Sequence, residues 1–193
     1  MPEQFSLPGF ETALHATDRL FFAIIPTADA AAAIVRQTGL LCDEYALKGK
    51  SIARGRLHVT LNFLGDYLGL PQDIVAAAKT AAASVRAAPF DVVFDRTGSF
   101  RGRRRNYPLV LLGDDGVAAL SAFQQTLGVA LQRNGLRSAR SHYTPHLTLL
   151  YNNYQLPLRA IAPIRWTVNE FVLVRSLLGE TRHIQLARWP LLS

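Results

Sequence analysis

Two short segments of this chain carry the residue types that move protons at a phosphorus centre. His58-Val59-Thr60-Leu61 and His146-Leu147-Thr148-Leu149 share the form His-x-Thr-Leu. With five histidines and twelve threonines in 193 residues, chance gives about 0.3 His-x-Thr matches. Two matches with the same trailing Leu therefore need a reason. Cleaving a phosphodiester requires a base for the nucleophile and an acid for the leaving oxygen, and imidazole, which titrates near neutral pH, serves as either. The two hydroxyls supply hydrogen-bond donors for the phosphoryl oxygens. The plainer alternative makes each His a half-buried strand residue bonded to a neighbour. That would account for one histidine, but it leaves the matched pair, each with its Thr, unexplained. A third match, His142-Tyr143-Thr144, lacks the Leu and runs at once into Pro145.

Other chemistries fit less well. A two-metal phosphatase needs clustered carboxylates, and only Asp66 lies close in sequence to either motif. The chain has no Gly-x-x-x-x-Gly-Lys loop for triphosphates and no His-Glu-x-x-His helix for zinc. His142 and His146 have i,i+4 spacing, but Pro145 opposes the helix that would bring both to one metal. Cys42 is the single cysteine, so neither an intrachain disulfide nor a thiolate zinc site can form, and its helical surroundings suggest packing. No cofactor is expected.

Strands must position these motifs. On a strand, residues i and i+2 share a face, so His58 and Thr60 project together, as do His146 and Thr148. If the two strands lie side by side or are related by a pseudo-twofold, four polar groups converge on one small anion. Leu20 to Ile25 is a continuous apolar run of strand length closed by Pro26. Thr27 caps a predicted helix from Ala28 to about Tyr45, with Asp29 in its first turn and Gly39 as a weak point. Leu57 to Leu64 reads as a strand ending at Gly65-Asp66, and a second helix runs from near Pro71 to about Ala87. Phe90 to Phe94 and Leu109 to Leu112 are strands. Asp114 or Asp115 caps a third helix reaching about Gln132, where Asn134-Gly135 is a stop signal. His146 to Tyr151 and Trp166 to Val174 complete the expected set.

The bulk properties bound the rest. At 193 residues, one domain or two small fused lobes are both reasonable. No apolar run reaches the roughly 18–20 residues needed to span a bilayer, and Met1 to Asp18 does not read as a secretory signal. A soluble, cytoplasmic monomer without membrane contact is expected. The 21 basic against 14 acidic side chains give a net charge of +7, which favours a polyanionic partner such as nucleic acid.

At the paired motifs the sequence resembles the 2H phosphoesterase superfamily, and within it the RNA 2′,3′-cyclic phosphodiesterases, also described as 2′–5′ RNA ligases. The resemblance covers most of the chain after Asp18. It runs through Arg19 to Ile24, Leu57 to Asp66, Gly98-Ser99-Phe100, Pro145 to Leu149 and Phe171 to Ser176. It implies an α+β, bilobal fold, with two pseudo-symmetric lobes whose antiparallel sheets form a central cleft and whose helices lie outside. Residues 1–18 would be an extension and 19–193 a single bilobal domain. It also implies metal-independent hydrolysis of a 2′,3′-cyclic phosphate at an RNA or oligonucleotide end to a 2′-phosphate. His58 would then activate water and His146 protonate the leaving oxygen, although the near-symmetric site permits the reverse. The chain departs from the family pattern in two places. Arg is common shortly after the second motif, where this chain has Leu150-Tyr151-Asn152, and Tyr is common before the last strand, where it has Arg182-His183-Ile184.

Further substrate contacts are expected around the motifs. Arg103, Arg104 and Arg105, in the run Arg101 to Asn106, could bind RNA phosphates by charge and bidentate hydrogen bonds, or form a solvated hairpin tip. Phe63 and Tyr151 each follow a motif histidine by five residues and could stack on a base. Regular strand alternation would instead turn them into the core unless the strand bends. His183 could contact substrate because of its position in the family pattern, although a satisfied surface histidine is the plainer reading. Two other functions share the motifs: 2′–5′ joining of RNA ends, with a ribose hydroxyl replacing water, and a non-catalytic RNA- or nucleotide-binding module. The second would leave two titrating groups without a purpose.

Overall fold

The apolar run after Asp18 becomes the strand on which one half of the sheet is built. The computed structural model describes residues 15–102, 105–137 and 143–192. Its elements, in chain order, are β1 (Asp18–Ile24), α1 (Ala28–Glu44), β2 (Val59–Tyr67), α2 (Gln72–Ala83), β3 (Phe90–Ser99), β4 (Tyr107–Leu112), α3 (Ala118–Arg133), β5 (His146–Asn152), β6 (Arg159–Val168), β7 (Glu170–Leu177) and β8 (Arg182–Pro190). The strands form one antiparallel sheet in the order β6-β3-β4-β5-β2-β1-β7-β8. This is the α+β, two-lobed arrangement expected. Each motif strand is the inner edge of a four-stranded half, and β2 and β5 are joined through the pair Val59↔Leu147.

One face of the sheet carries the main core: Leu20, Phe22 and Ile24 of β1, Phe94 of β3, Leu109 and Leu111 of β4, and Phe171 of β7 pack with apolar residues of all three helices. A small cluster of Phe21, Ala23, Val172 and Val174 lies on the other face, as period-two alternation requires. Three features tie the halves together. Arg159 at the start of β6 pairs with Glu44 at the end of α1. Tyr154 donates to the Tyr45 carbonyl. The loop before β2 lies along β5, with the Ile52 amide donating to the Leu149 carbonyl at 2.7 Å and Ser51 bridging Leu150.

Local signals account for most element ends. Thr27 caps α1 by accepting from the Ala30 amide at 3.3 Å, and the helix continues through Gly39. Gly135, at φ +76°, ends α3, where the Leu136 amide returns to the Leu131 carbonyl. The entry to α3 differs from expectation. Neither Asp114 nor Asp115 makes a side-chain cap; a single 3₁₀ turn, Asp115–Val117, leads into the helix, and Asp114 pairs with Arg96 instead. The second helix stops at Ala83, short of Ala87, where the Ser84 hydroxyl bonds back to the Ala81 carbonyl.

The strand expectations need three corrections. β2 does not end at Gly65-Asp66 but continues to Tyr67, because Gly65 adopts φ +148° and Asp66 pairs with Arg19 on β1. Trp166 to Val174 is two strands, parted at Asn169. β8 was absent from the strands read from the sequence pattern, although the family resemblance implied a last strand after Arg182-His183-Ile184. β6 and β8 are the two edges of the sheet. Edge strands need no strong apolar alternation and tolerate proline, such as Pro163 in β6.

Two glycines separate backbone cost from packing need. A Cβ at Gly49 would lie 2.0 Å from the Tyr151 carbonyl oxygen, whereas one at Gly39 would meet nothing within 4 Å. Gly49→Ala should therefore destabilise the fold by about 1–3 kcal/mol, the usual cost of overpacking. Gly39→Ala should stabilise it by roughly 0.4–1 kcal/mol. Denaturant unfolding of the two variants beside the parent checks both signs.

Candidate active site

The two motifs meet where the halves of the sheet join. Antiparallel pairing of Val59 with Leu147 puts a local twofold between them. In that register His58 lies level with Thr148, and Thr60 with His146. All four side chains line one cleft of about 260 Å³, together with Arg19, Phe21, Arg56, Phe63, Tyr151, Ser176 and His183.

The histidines are held in the same way. His58 Nδ1 lies 2.7 Å from the Arg56 carbonyl oxygen, and His146 Nδ1 lies 2.8 Å from that of Thr144. A carbonyl oxygen only accepts, so Nδ1 carries the proton in both rings. Nε2 is then the bare nitrogen of the neutral form. The Arg56 carbonyl is set by the 3₁₀ turn Arg54–Arg56, and Pro145 holds the chain extended after Thr144. A phenylalanine backs each ring, Phe21 against His58 and Phe100 against His146, both with centroids 4.9 Å apart. Tyr143 donates to the Thr60 carbonyl at 3.0 Å and so links the entry to β5 with β2.

Phe63 and Tyr151 do not enter the core. They are 47% and 46% exposed and line the cleft. The cause is a pair of matching bulges. Along β1, Phe22 faces Asn62 and Ala23 faces Thr60, so Leu61 is an extra residue in β2. Along β4, Leu109 faces Leu150 and Val110 faces Thr148, so Leu149 is an extra residue in β5. Each bulge falls three residues after its histidine and reverses the alternation. The fifth residue therefore returns to the histidine face.

The arginine run behaves differently. Arg103 and Arg104 lie outside the described residues, as does His142. Arg105 is exposed at φ +62° and lines no part of this cleft. Among the described residues, Arg19 and Arg56 supply guanidinium groups to the cleft. Arg19 binds Asp66 through two bonds of 2.7 and 2.8 Å and lies 5.6 Å over the Phe63 ring. No carboxylate lines the cleft, and among the described residues no group of three or more His, Cys, Asp or Glu side chains is placed to hold a metal ion.

A model of the 2′-5′ RNA ligase superfamily matches residues 8–180. The chain belongs to that superfamily. It is 28% identical over 178 residues to the RNA 2′,3′-cyclic phosphodiesterase of Escherichia coli (strain K12), covering 90% of this chain and 96% of that protein. Among solved structures, apo LigT from E. coli superimposes with a TM-score of 0.69 at 26% identity, over 92% of this chain and 99% of that one. LigT complexed with 3′-AMP gives a TM-score of 0.66 at 26% identity over the same shares.

His183 is a third imidazole in the cleft of this superfamily member rather than a surface residue. It is paired with Ser176 across β7 and β8. Its ring lies 5.2 Å edge-on from that of His58 and 5.6 Å from Phe21. Burial, with His58 and Arg56 nearby, pushes its pKa down to about 4, so it is neutral near pH 7. The sequence offered it as a possible substrate contact but favoured a surface position, because its setting depends on β8. Arg19, Arg56 and Ser176 were missed as site residues. Arg19 and Ser176 lie level with each other across β1 and β7, visible only once that pairing is known.

The two motif histidines differ in surroundings. Burial lowers the His58 pKa from its ordinary value, the Arg56 carbonyl opposes that, and the Arg56 and His146 charges lower it further. Arg56→Ala keeps the carbonyl and removes the cation, so the His58 pKa should rise. NMR titration of the His58 ring in the variant checks the direction; an unchanged or lower value would show that the guanidinium does not act on this ring.

Proposed function

We propose that this protein hydrolyses 2′,3′-cyclic phosphate ends of RNA to 2′-phosphates by acid/base catalysis between His58 and His146. The observation that carries the reading is the twofold pairing of the two His-x-Thr motifs across Val59 and Leu147, with both Nε2 atoms left available in one cleft. The similarity to a protein named RNA 2′,3′-cyclic phosphodiesterase, and to LigT complexed with 3′-AMP, supports a nucleotide end as substrate.

In this mechanism the neutral His58 Nε2 takes a proton from water as the water oxygen bonds to phosphorus. The bond from phosphorus to the 3′ oxygen breaks, and protonated His146 gives its Nε2 proton to that oxygen. The products are a 2′-phosphate and a free 3′ hydroxyl. The Thr60 and Thr148 hydroxyls donate to the non-bridging oxygens, where negative charge grows. The lowered His58 pKa favours this direction of the roles, since a base must start neutral. For 2′–5′ end joining, a ribose hydroxyl would take the place of water at the same groups. A module that only binds would not need two imidazoles held with Nε2 free.

His58→Ala and His146→Ala should each lower turnover of a cyclic-phosphate oligonucleotide by at least about 100-fold. The double variant should be little worse than either single one, as expected for groups acting in one step. EDTA should leave the rate unchanged, and the product should carry its phosphate on the 2′ oxygen. A 3′-phosphate product would reverse the bond broken; full activity in both single variants would end the two-histidine mechanism.

A further inference from the structure

Beside the catalytic cleft runs a second, larger groove of about 550 Å³. The two share the walls Ile52, Arg56 and Tyr151, and Arg56 is the one ionic side chain common to both. Lys50, Ser51, Ala53, Asn106 and Thr181 line the groove alone, and among the described residues no carboxylate lines it. The guanidinium of Arg56 is incompletely satisfied: its Nε is buried and has no hydrogen-bond partner among the described residues. A buried cationic donor without an acceptor is costly, and an anion arriving from either cavity would supply the missing oxygen.

The groove is built rather than merely open. The loop carrying Lys50 and Ser51 is pinned to β5 by the Ser51–Leu150 bridge and the Ile52 amide. Gly49 allows the loop to lie against the Tyr151 backbone. Lys50 is exposed at the rim, so its charge is available without any rearrangement of the core. The exposed Tyr151 ring stands in the wall between the cavities, where a base can stack.

A cyclic phosphate closes the 3′ end of its strand, so any further RNA leaves the cleft from the 5′ side of the terminal nucleotide. The next anion along that path is the phosphodiester joining the last two nucleotides. We infer that the groove is a second nucleotide subsite, in which Arg56 and Lys50 hold this internucleotide phosphate, making an RNA oligonucleotide rather than a free cyclic mononucleotide the preferred substrate. Arg56 presents a planar fork to the phosphate oxygens, while Lys50 adds a point charge. The Ser51 hydroxyl and the Asn106 amide remain for the sugar or base of the preceding nucleotide.

This inference rests on the cyclic-phosphate reading of the cleft, and its test separates the two. One arm compares kcat/KM for adenosine 2′,3′-cyclic phosphate and for the dinucleotide ApA ending in the same group, using the parent protein and Lys50→Glu. The dinucleotide should be favoured by about tenfold or more, the scale of one charge-assisted contact. Lys50→Glu should remove most of that preference and leave the mononucleotide rate unchanged, and Lys50→Arg should restore it. A second arm measures by calorimetry the binding of ApA bearing a terminal 2′-phosphate against adenosine 2′-phosphate. If neither cyclic substrate is cleaved, the proposed reaction fails, and the same dinucleotide preference in binding decides the groove on its own. Equal handling of the two lengths by the parent protein, or equal loss of both in Lys50→Glu, would overturn the subsite.

Discussion

The pairing of Val59 with Leu147 is the constraint on which the site depends. It is the join between two four-stranded halves, and it is also the axis that carries one His-x-Thr onto the other. A strand pair at the inner edges of two sheets would ordinarily turn alternate residues to solvent without bringing anything together. Here the shared register sets an imidazole against a hydroxyl on both sides of the join. The bulges at Leu61 and Leu149 then return Phe63 and Tyr151 to the same face. Each half thus contributes an imidazole, a hydroxyl and a ring from a segment of six residues. The bulge also lets neighbouring residues, Leu61 with Asn62 and Leu149 with Leu150, stay buried in succession.

Twofold geometry alone would give two equivalent histidines, which is unsuited to the proposed acid/base reaction with its one neutral and one protonated ring. The surroundings break the symmetry. His58 has Arg56 beside it and His183 edge-on, whereas the His146 ring is backed by Phe100. Protonating His58 means adding charge near a guanidinium in a partly desolvated site. His183, with its own pKa near 4, is a neutral neighbour that packs edge-on against the His58 ring without adding charge. The backbone fixes the tautomer of both rings alike, while the groups around His58 hold its pKa below the ordinary value.

Much of this was legible from residue types and spacing. The paired motifs, their strand setting and the capped first helix all follow from local signals that tertiary packing did not override. Phe63 and Tyr151 were ambiguous because a bulge is a property of two strands together; nothing within Leu57–Leu64 marks Leu61 as the extra residue. His183 and Ser176 come together through β8, an edge strand whose sequence, Arg182-His183-Ile184-Gln185, lacks the alternation that identifies a buried strand. Arg56 was passed over because a turn arginine in a basic chain is ordinarily solvated. Its significance lies in a buried Nε without an acceptor, which only coordinates reveal. The division between Trp166 and Val174 was hidden for a related reason, since the apolar residues on either side of Asn169 read as one run.

The cleft that results is organised for an anion before one arrives. Arg19, Arg56 and three imidazoles face a small volume with no carboxylate in its lining. Arg19 is balanced by Asp66 and by the Phe63 ring, so its charge is fixed in place. Arg56 has no such partner at its Nε and keeps an unmet demand for an acceptor. This arrangement costs stability in the free protein, because desolvated donors and neighbouring positive groups are unfavourable when unpaired. A phosphate placed among them satisfies the donors and screens the charges at once, so the folded state is stabilised by whatever binds there. In the proposed hydrolysis, charge would build on the non-bridging oxygens as water adds to phosphorus, and donors already oriented toward them would need no rearrangement at that moment.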